Sequence, residues 1–199
     1  FPLLSEPASG AWAGGGVTPY EQSIVAGTLG RDVDTVVVTG RPTLSRPIHA
    51  LLARPDVRVV VVDQHAPWTD ISGNASTVVA DLTPPTRPCG AAAAWATRVR
   101  EACELAGRRI DDLLAAGSGR TMIDLARAVA RASDGPLVLG ASNPVRAFDL
   151  AVPSLEGRAV HSNRGQAGID GTIATSVGVA LGSASSRSVG AGGRVTAVM

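Results

Sequence analysis

The most constraining feature of this chain is a set of short apolar runs that lack polar alternation. They are Thr35–Thr39 (TVVVT), Arg58–Val62 (RVVVV), Thr77–Ala80 (TVVA), Leu137–Gly140 (LVLG), Ala159–His161 (AVH) and Val195–Met199 (VTAVM). A strand with one wet face alternates polar and apolar residues. Runs that do not alternate fit strands buried on both sides, as in parallel sheets covered by helices. Phe1–Leu4 reads as one more short strand. Helical patterns lie between the runs. Trp95, Val99, Cys103, Ala106, Ile110 and Leu113 recur at spacings of three and four, an apolar stripe on a long helix that Gly107 is expected to break. Met122, Leu125, Ala126 and Val129 form a second stripe, and Thr172–Leu181 a third helix of small residues. Strand and helix in alternation predict an α/β fold, with parallel sheets flanked by helices.

The proline-rich segment Thr83–Gly90 (TPPTRPCG) interrupts that alternation. It predicts a first α/β domain over residues 1–88 and a linker with a connecting helix over 89–119. A second βα set over 120–199 is cut off at Met199. The chain starts at Phe1 without a methionine and stops directly after a strand-like run, so it is expected to be a piece of a longer polypeptide.

Composition narrows the chemistry by exclusion. The net charge is +1 and no basic stripe carries interleaved aromatics, so nucleic acid is not an expected partner. No apolar stretch reaches the ~20 residues of a membrane span, and no signal peptide is visible. All 18 basic side chains are arginine. A Schiff-base or phosphate-loop lysine within this chain is thereby excluded. Cys89, Cys103 and the three histidines show no metal-ligand spacing, and both cysteines read as packing residues of a cytoplasmic protein.

The chemistry-bearing segment is His161–Gly171 (HSNRGQAGIDG). It follows a strand, and in parallel α/β sheets ligands gather at the carboxyl ends of strands. Arg164, between Asn163 and Gly165, offers a planar fork to a carboxylate or phosphate where glycine lets a ligand approach the backbone. Gly168 and Gly171 bracket Ile169 and Asp170. Asp170 is placed to cap the next helix, whose N-terminus favours an anion. The plainer alternative is a tight turn with a solvated arginine. Ser142–Arg146 (SNPVR) repeats the arrangement after Leu137–Gly140, with Ser142 as a possible cap and Arg146 one turn in. Gly40–Arg46 (GRPTLSR) presents Arg41 and Arg46 after the first strand. Each could be an ordinary helix start.

Together, SNRGxxGIDG and the S-N-P-x-R before it closely resemble the SEPHCHC synthase family, the thiamine-diphosphate enzymes of menaquinone biosynthesis (SEPHCHC is 2-succinyl-5-enolpyruvyl-6-hydroxy-3-cyclohexene-1-carboxylate). GRPTLSR and the opening FPLLSEP resemble that family's middle domain. The likeness covers nearly the whole chain and is weakest across Pro84–Gly119. It implies that residues 1–88 are the transhydrogenase-domain-III-like middle domain. Residues 120–199 would then be the first half of the diphosphate-binding domain. The family decarboxylates 2-oxoglutarate and adds the succinyl carbanion equivalent to isochorismate. Both substrates are dicarboxylates, which suits an arginine-rich pocket.

By motif match, Arg164, Arg146, Ser142 and Arg46 would bind substrate, although Ser45 stands where the family can carry lysine. Ile169 would prop the bent cofactor, with Gly168 and Asn163 beside it. The resemblance places the activating glutamate before Phe1. It places the Gly-Asp motif that holds Mg2+ (or Mn2+) after Met199, so neither a catalytic residue nor a metal ligand is expected within the chain. Alone, the chain is expected to be inactive; the intact enzyme is expected to be a homodimer or homotetramer. Two alternatives stand. One is another thiamine-diphosphate decarboxylase, disfavoured by the arginine in SNRG. The other is a non-catalytic module binding a nucleotide or a small acid, disfavoured by the lack of a G-x-G-x-x-G.

Overall fold

A computed structural model of the chain describes residues 2–65, 68–83, 90–117, 121–163, 170–185 and 194–199. The chain forms two compact units. The first holds Glu21–Ala106 with the two terminal residues Phe1–Pro2; the second joins Leu3–Tyr20 to Gly107–Met199. The segment Leu3–Tyr20 thus packs with residues more than a hundred positions downstream. Of the expected strand Phe1–Leu4, the described residues form one parallel bridge, Leu3 to Val17. Around it the chain coils through short 3-10 turns at Pro7–Ser9 and Ala11–Gly14. Buried Trp12 closes the coil by donating its indole N–H to the Ser5 carbonyl at 2.7 Å.

The first unit contains helices α1 (Glu21–Ala26), α2 (Thr28–Arg31) and α3 (Arg46–Leu52) and strands β1 (Thr35–Thr39), β2 (Arg58–Val62) and β3 (Ala75–Val79). The strands are parallel in the order β1-β2-β3, with Val36 beside Val59 and Val38 beside Val61. Those four valines share a face, because side chains alternate along a strand. Leu51, Leu52, Val57, Val59 and Val61 are buried together, with Val36, Val38 and Ile48 packed against them. Ser45 caps α3, its hydroxyl accepting from the Ile48 amide, and Pro47 sits in the first turn, where no donor is lost. Strand β3 begins two residues earlier than its sequence suggests. Its polar start is used up by specific bonds: the Ala75 amide donates to Asp70, and the Ser76 hydroxyl donates to the Val59 carbonyl.

Helix α4 (Gly90–Ala116) is continuous, and Gly107 does not break it. A Cβ at Gly107 would lie 3.2 Å from the Tyr20 ring, so the glycine makes room for an aromatic neighbour. Val99 and Cys103 are buried as the stripe requires, but Leu113 is exposed.

The second unit holds α5 (Met122–Ala132), β4 (Leu137–Leu139), α6 (Asn143–Ala151), β5 (Val160–His161), α7 (Asp170–Ser185) and β6 (Thr196–Val198). Its parallel sheet has the order β5-β4-β6. Leu137, Val138 and Leu139 have no exposed surface, so β4 is covered on both faces, as its unalternating sequence requires. The buried face of α5 differs from the expected stripe: Ala126, Arg127 and Ala130 point inward, while Met122 and Leu125 are exposed. An inward arginine rotates the face because its guanidinium finds partners there. No described helix is long and apolar enough to cross a membrane.

Candidate functional site at the strand ends of the second sheet

Three parallel strands end on one edge of the second sheet. Strand β4 gives way to Gly140 and Ser142, β5 to Ser162 and Asn163, and β6 to Met199. The chain leaves β4 for β5 on one side, then crosses back to β6 on the other. Strand order therefore reverses between β4 and β6, the place where open parallel sheets leave a crevice for ligands. Gly140 keeps that edge tight: its amide donates to the Val198 carbonyl at 2.8 Å, and its carbonyl accepts from the Val145 amide at 3.2 Å. A Cβ there would stand in ordinary contact with the Val198 oxygen, Pro144 and Met199, at 3.4 to 3.6 Å.

Ser142 occupies the N-cap position of α6, but its hydroxyl makes no capping hydrogen bond. That departs from the expected cap. Its φ of −117° and ψ of −122° fall outside the extended backbone that lets an N-cap side chain reach back to the helix amides. Both Ser142 and Arg146 are exposed, the latter one turn into α6. Asn163 is fixed by α7: its side-chain oxygen accepts from the Thr175 hydroxyl at 2.9 Å. Its amide nitrogen lies 3.2 Å from where a Cβ of Gly171 would be. A side chain at 171 would require the Asn163 amide to shift by a few tenths of an ångström. Asp170 lies within the first turn of α7. The Ser162 hydroxyl is buried and has no hydrogen-bond partner among the described residues.

Ser142, Arg146 and Asn163 are thus carried by the two strand-to-helix turns that open on this edge. Arg164, Gly168 and Ile169 lie outside the described residues. Arg46 belongs to the first unit, where it opens α3 with its side chain exposed. Among the described residues no group of three or more His, Cys, Asp or Glu could hold a metal ion. The donors at the edge, hydroxyl, carboxamide and guanidinium beside two helix N-termini, suit carboxylate or phosphate oxygens.

Two buried charged residues among those described in this unit were not singled out from the sequence. Asp149, almost wholly buried on α6, sits between Phe148 and Leu150. Arg127 interrupts the alanines of α5. For Asp149 the available signal was a charged residue on the face that spacing gives to Val145, Phe148 and Val152; Arg127 lies off the expected apolar stripe of α5, and spacing gave no signal for it.

Sheet order and donor set together describe an α/β chain whose candidate anion-binding corner lies at a strand-order reversal. The chain is similar to 2-succinyl-5-enolpyruvyl-6-hydroxy-3-cyclohexene-1-carboxylate synthases, that is, to SEPHCHC synthases. It is 42% identical to the one from Nocardioides sp. over 193 residues, which covers 92% of this chain and 36% of that protein. Against the Kineococcus radiotolerans synthase it is 44% identical over 195 residues, 94% of this chain and 35% of that protein. Against that of Mycobacterium marinum the figures are 39% over 186 residues, with 92% and 32% covered. The chain therefore spans about a third of the length of the curated relatives it matches. No protein-family model matches it.

Proposed function

We propose that these residues form part of a SEPHCHC synthase, which decarboxylates 2-oxoglutarate with thiamine diphosphate and adds the succinyl unit to isochorismate. The observation that carries this reading is the match to such synthases over 92% of the chain, which takes in both strand-to-helix turns of the second sheet. In the intact enzyme thiamine diphosphate supplies the electron sink that makes loss of CO2 from a 2-oxo acid possible. The residues of this chain bind and orient. Arg146 and Arg164 pair with substrate carboxylates, and the Ser142 hydroxyl, not engaged in capping, donates to a carboxylate oxygen. Asn163, Gly168 and Ile169 line the cofactor, and the Asn163–Thr175 bond holds the first of these against α7. Arg46 contributes a further cation from the middle domain, over residues 1–88. Residues 89–119 link it to the diphosphate-binding part over 120–199.

The Mg2+ (or Mn2+) and the activating glutamate are assigned to other parts of the longer enzyme, a cytoplasmic homodimer or homotetramer. The test is to titrate 2-oxoglutarate and isochorismate into the full-length protein and its Arg164→Ala variant. A KM raised for either acid supports the assignment; unchanged kcat and KM remove Arg164 from the site. The 199 residues alone, supplied with cofactor, Mg2+ and both acids, are expected to show no turnover.

A further inference from the structure

Arg127 is among the most deeply buried charged side chains described, with 5% of its surface exposed. Three of its nitrogens are engaged. Nε donates to the Ala151 carbonyl at 2.8 Å, Nη2 donates to the Tyr20 hydroxyl at 3.2 Å, and Nη1 pairs with Asp111. These partners come from three separate stretches of the second unit: the last residue of α6, the end of the N-terminal segment, and the later part of α4. Tyr20 is itself held hard. It is the one non-glycine residue with positive φ, at 59° among the described residues, and it is buried against Gly107. A side chain keeps such a backbone only where its surroundings over-determine it.

Burial of apolar surface alone does not call for a guanidinium here, since taking a charge out of water is costly. What the guanidinium supplies is direction. Its planar fork fixes the carbonyl end of α6 relative to α4 and Tyr20, and a cation at a helix C-terminus also favours the helix dipole. Helix α6 has nine residues and is about 13 Å long at 1.5 Å per residue. It is short enough to move as one rod, and its other end carries Ser142 and Arg146. We propose that Arg127 is a positioning residue: by clamping the C-terminus of α6 it sets where Ser142 and Arg146 stand at the strand-end corner. This rests on the reading of that corner as a substrate site.

The test uses the full-length protein. Arg127→Met is expected to speed hydrogen–deuterium exchange of the last-turn amides of α6 about ten-fold, and to raise KM for 2-oxoglutarate by about the same factor with kcat unchanged, as for loss of a charge-assisted bond. Arg127→Lys keeps a charged donor and recovers part of both effects. Arg158→Met is the control: Arg158 bonds the Ala130 carbonyl and the Ser133 hydroxyl at the end of α5, so its loss lowers Tm without either effect. A folded Arg127→Met protein with unchanged exchange in α6 overturns the proposal. So does faster exchange with unchanged KM, if Arg146→Ala raises KM. If Arg127→Met does not fold, Tyr20→Phe replaces it; it removes one hydroxyl, and the exchange of α6 is expected to rise about two-fold. No rise overturns the proposal. The site reading fails separately: Arg146→Ala with unchanged KM for both acids moves the substrate elsewhere, while exchange in α6 still decides the role of Arg127.

Discussion

The two sheets are built from the same kind of strand and end up differently. In the first, the strands follow chain order and β1 lies at an edge, where Val36 and Val38 pack inward and Val37 is 46% exposed. In the second, β4 lies between β5 and β6, and none of its three residues is exposed. The valine runs of β1 and β2 look alike in sequence, yet only a central position makes such a run buried on both faces. The same difference separates the two arginine-bearing strand ends. The turn after β4 opens where strand order reverses, the position at which open parallel sheets generally take a ligand. The turn after β1 opens on a sheet with no reversal among its described strands, and it leads into helix α3, where Ser45 accepts from the Ile48 amide at 3.5 Å. Position in the sheet, more than local sequence, makes the second corner the better candidate site.

The largest test of that contrast is packing. Leu139→Ala removes a side chain with no exposed surface from a central strand, and is expected to destabilise the second unit by about 3 kcal/mol. Val37→Ala, on the half-exposed face of an edge strand, is expected to cost under about 1 kcal/mol. Urea unfolding of the chain measures both. Equal losses would mean that the edge strand β1 and the central strand β4 are covered alike, and the contrast would fall.

The next test is at the arginines. In the full-length protein, Arg146→Ala is expected to weaken 2-oxoglutarate binding by about 2 kcal/mol, the scale of a charge-assisted hydrogen bond, and Arg46→Ala by less than half of that. Calorimetric titration reads both. A larger loss at Arg46 would move the weight of substrate binding to the first unit.

How much of this was legible follows from the range of the forces involved. Strand runs, parallel pairing and the two strand-end turns come from local patterning, and the residues at 35–39, 58–62 and 137–139 form strands as their sequence predicts. What sequence spacing could not show were choices made by distant partners. Gly107 reads as a helix break until Tyr20, 87 positions away, is found against it. Arg127 reads as the polar side of α5 until Asp111, Tyr20 and the Ala151 carbonyl are brought to it. Likewise, Phe1–Leu4 is apolar enough for a strand, but among the described residues it makes a single bridge, Leu3 to Val17. At the candidate site the motif marks the residues, while the reversal of strand order beside them belongs to the tertiary fold.

Two serines give a finer comparison. Ser45 and Ser142 both stand at N-cap positions, each followed by proline in the first turn. Only Ser45 accepts a helix amide, from Ile48 at 3.5 Å. Ser45→Ala is therefore expected to destabilise the first unit by roughly 0.5–1 kcal/mol. Ser142→Ala should leave stability within about 0.5 kcal/mol while raising KM for 2-oxoglutarate in the full-length protein. Thermal melts of both variants decide it. A clear stability loss at Ser142 would make it a cap after all and remove the reason to assign its hydroxyl to substrate.

The smallest expected effect is electrostatic. Asp70 closes the loop before β3, accepting from the amides of Ser72, Gly73 and Ala75 at 3.2, 2.9 and 2.8 Å. Those backbone bonds, that of Ala75 foremost, hold its carboxyl below the ordinary carboxylate value, against a weaker opposing effect of burial. In the second unit Asp124 is lowered in the same way, first by the Thr121 hydroxyl and then by the Thr121 amide, within the capping box that starts α5. A carboxyl whose folded value is depressed adds stability that is complete above its unfolded value, near 3.9. That stability is lost as pH falls through the lower folded value. Each unit should therefore lose stability only below about pH 4, the first unit through Asp70 and the second through Asp124. Asp70→Asn is expected to flatten the acid limb of the first unit and leave that of the second unchanged; Asp124→Asn should do the reverse. Both effects are small, because solvent screens these surface groups, and both are read from urea midpoints at neutral pH and at pH 3 with probes placed in each unit. If either variant changes both acid limbs equally, the two units unfold as one, and the sheets differ in architecture without differing in stability.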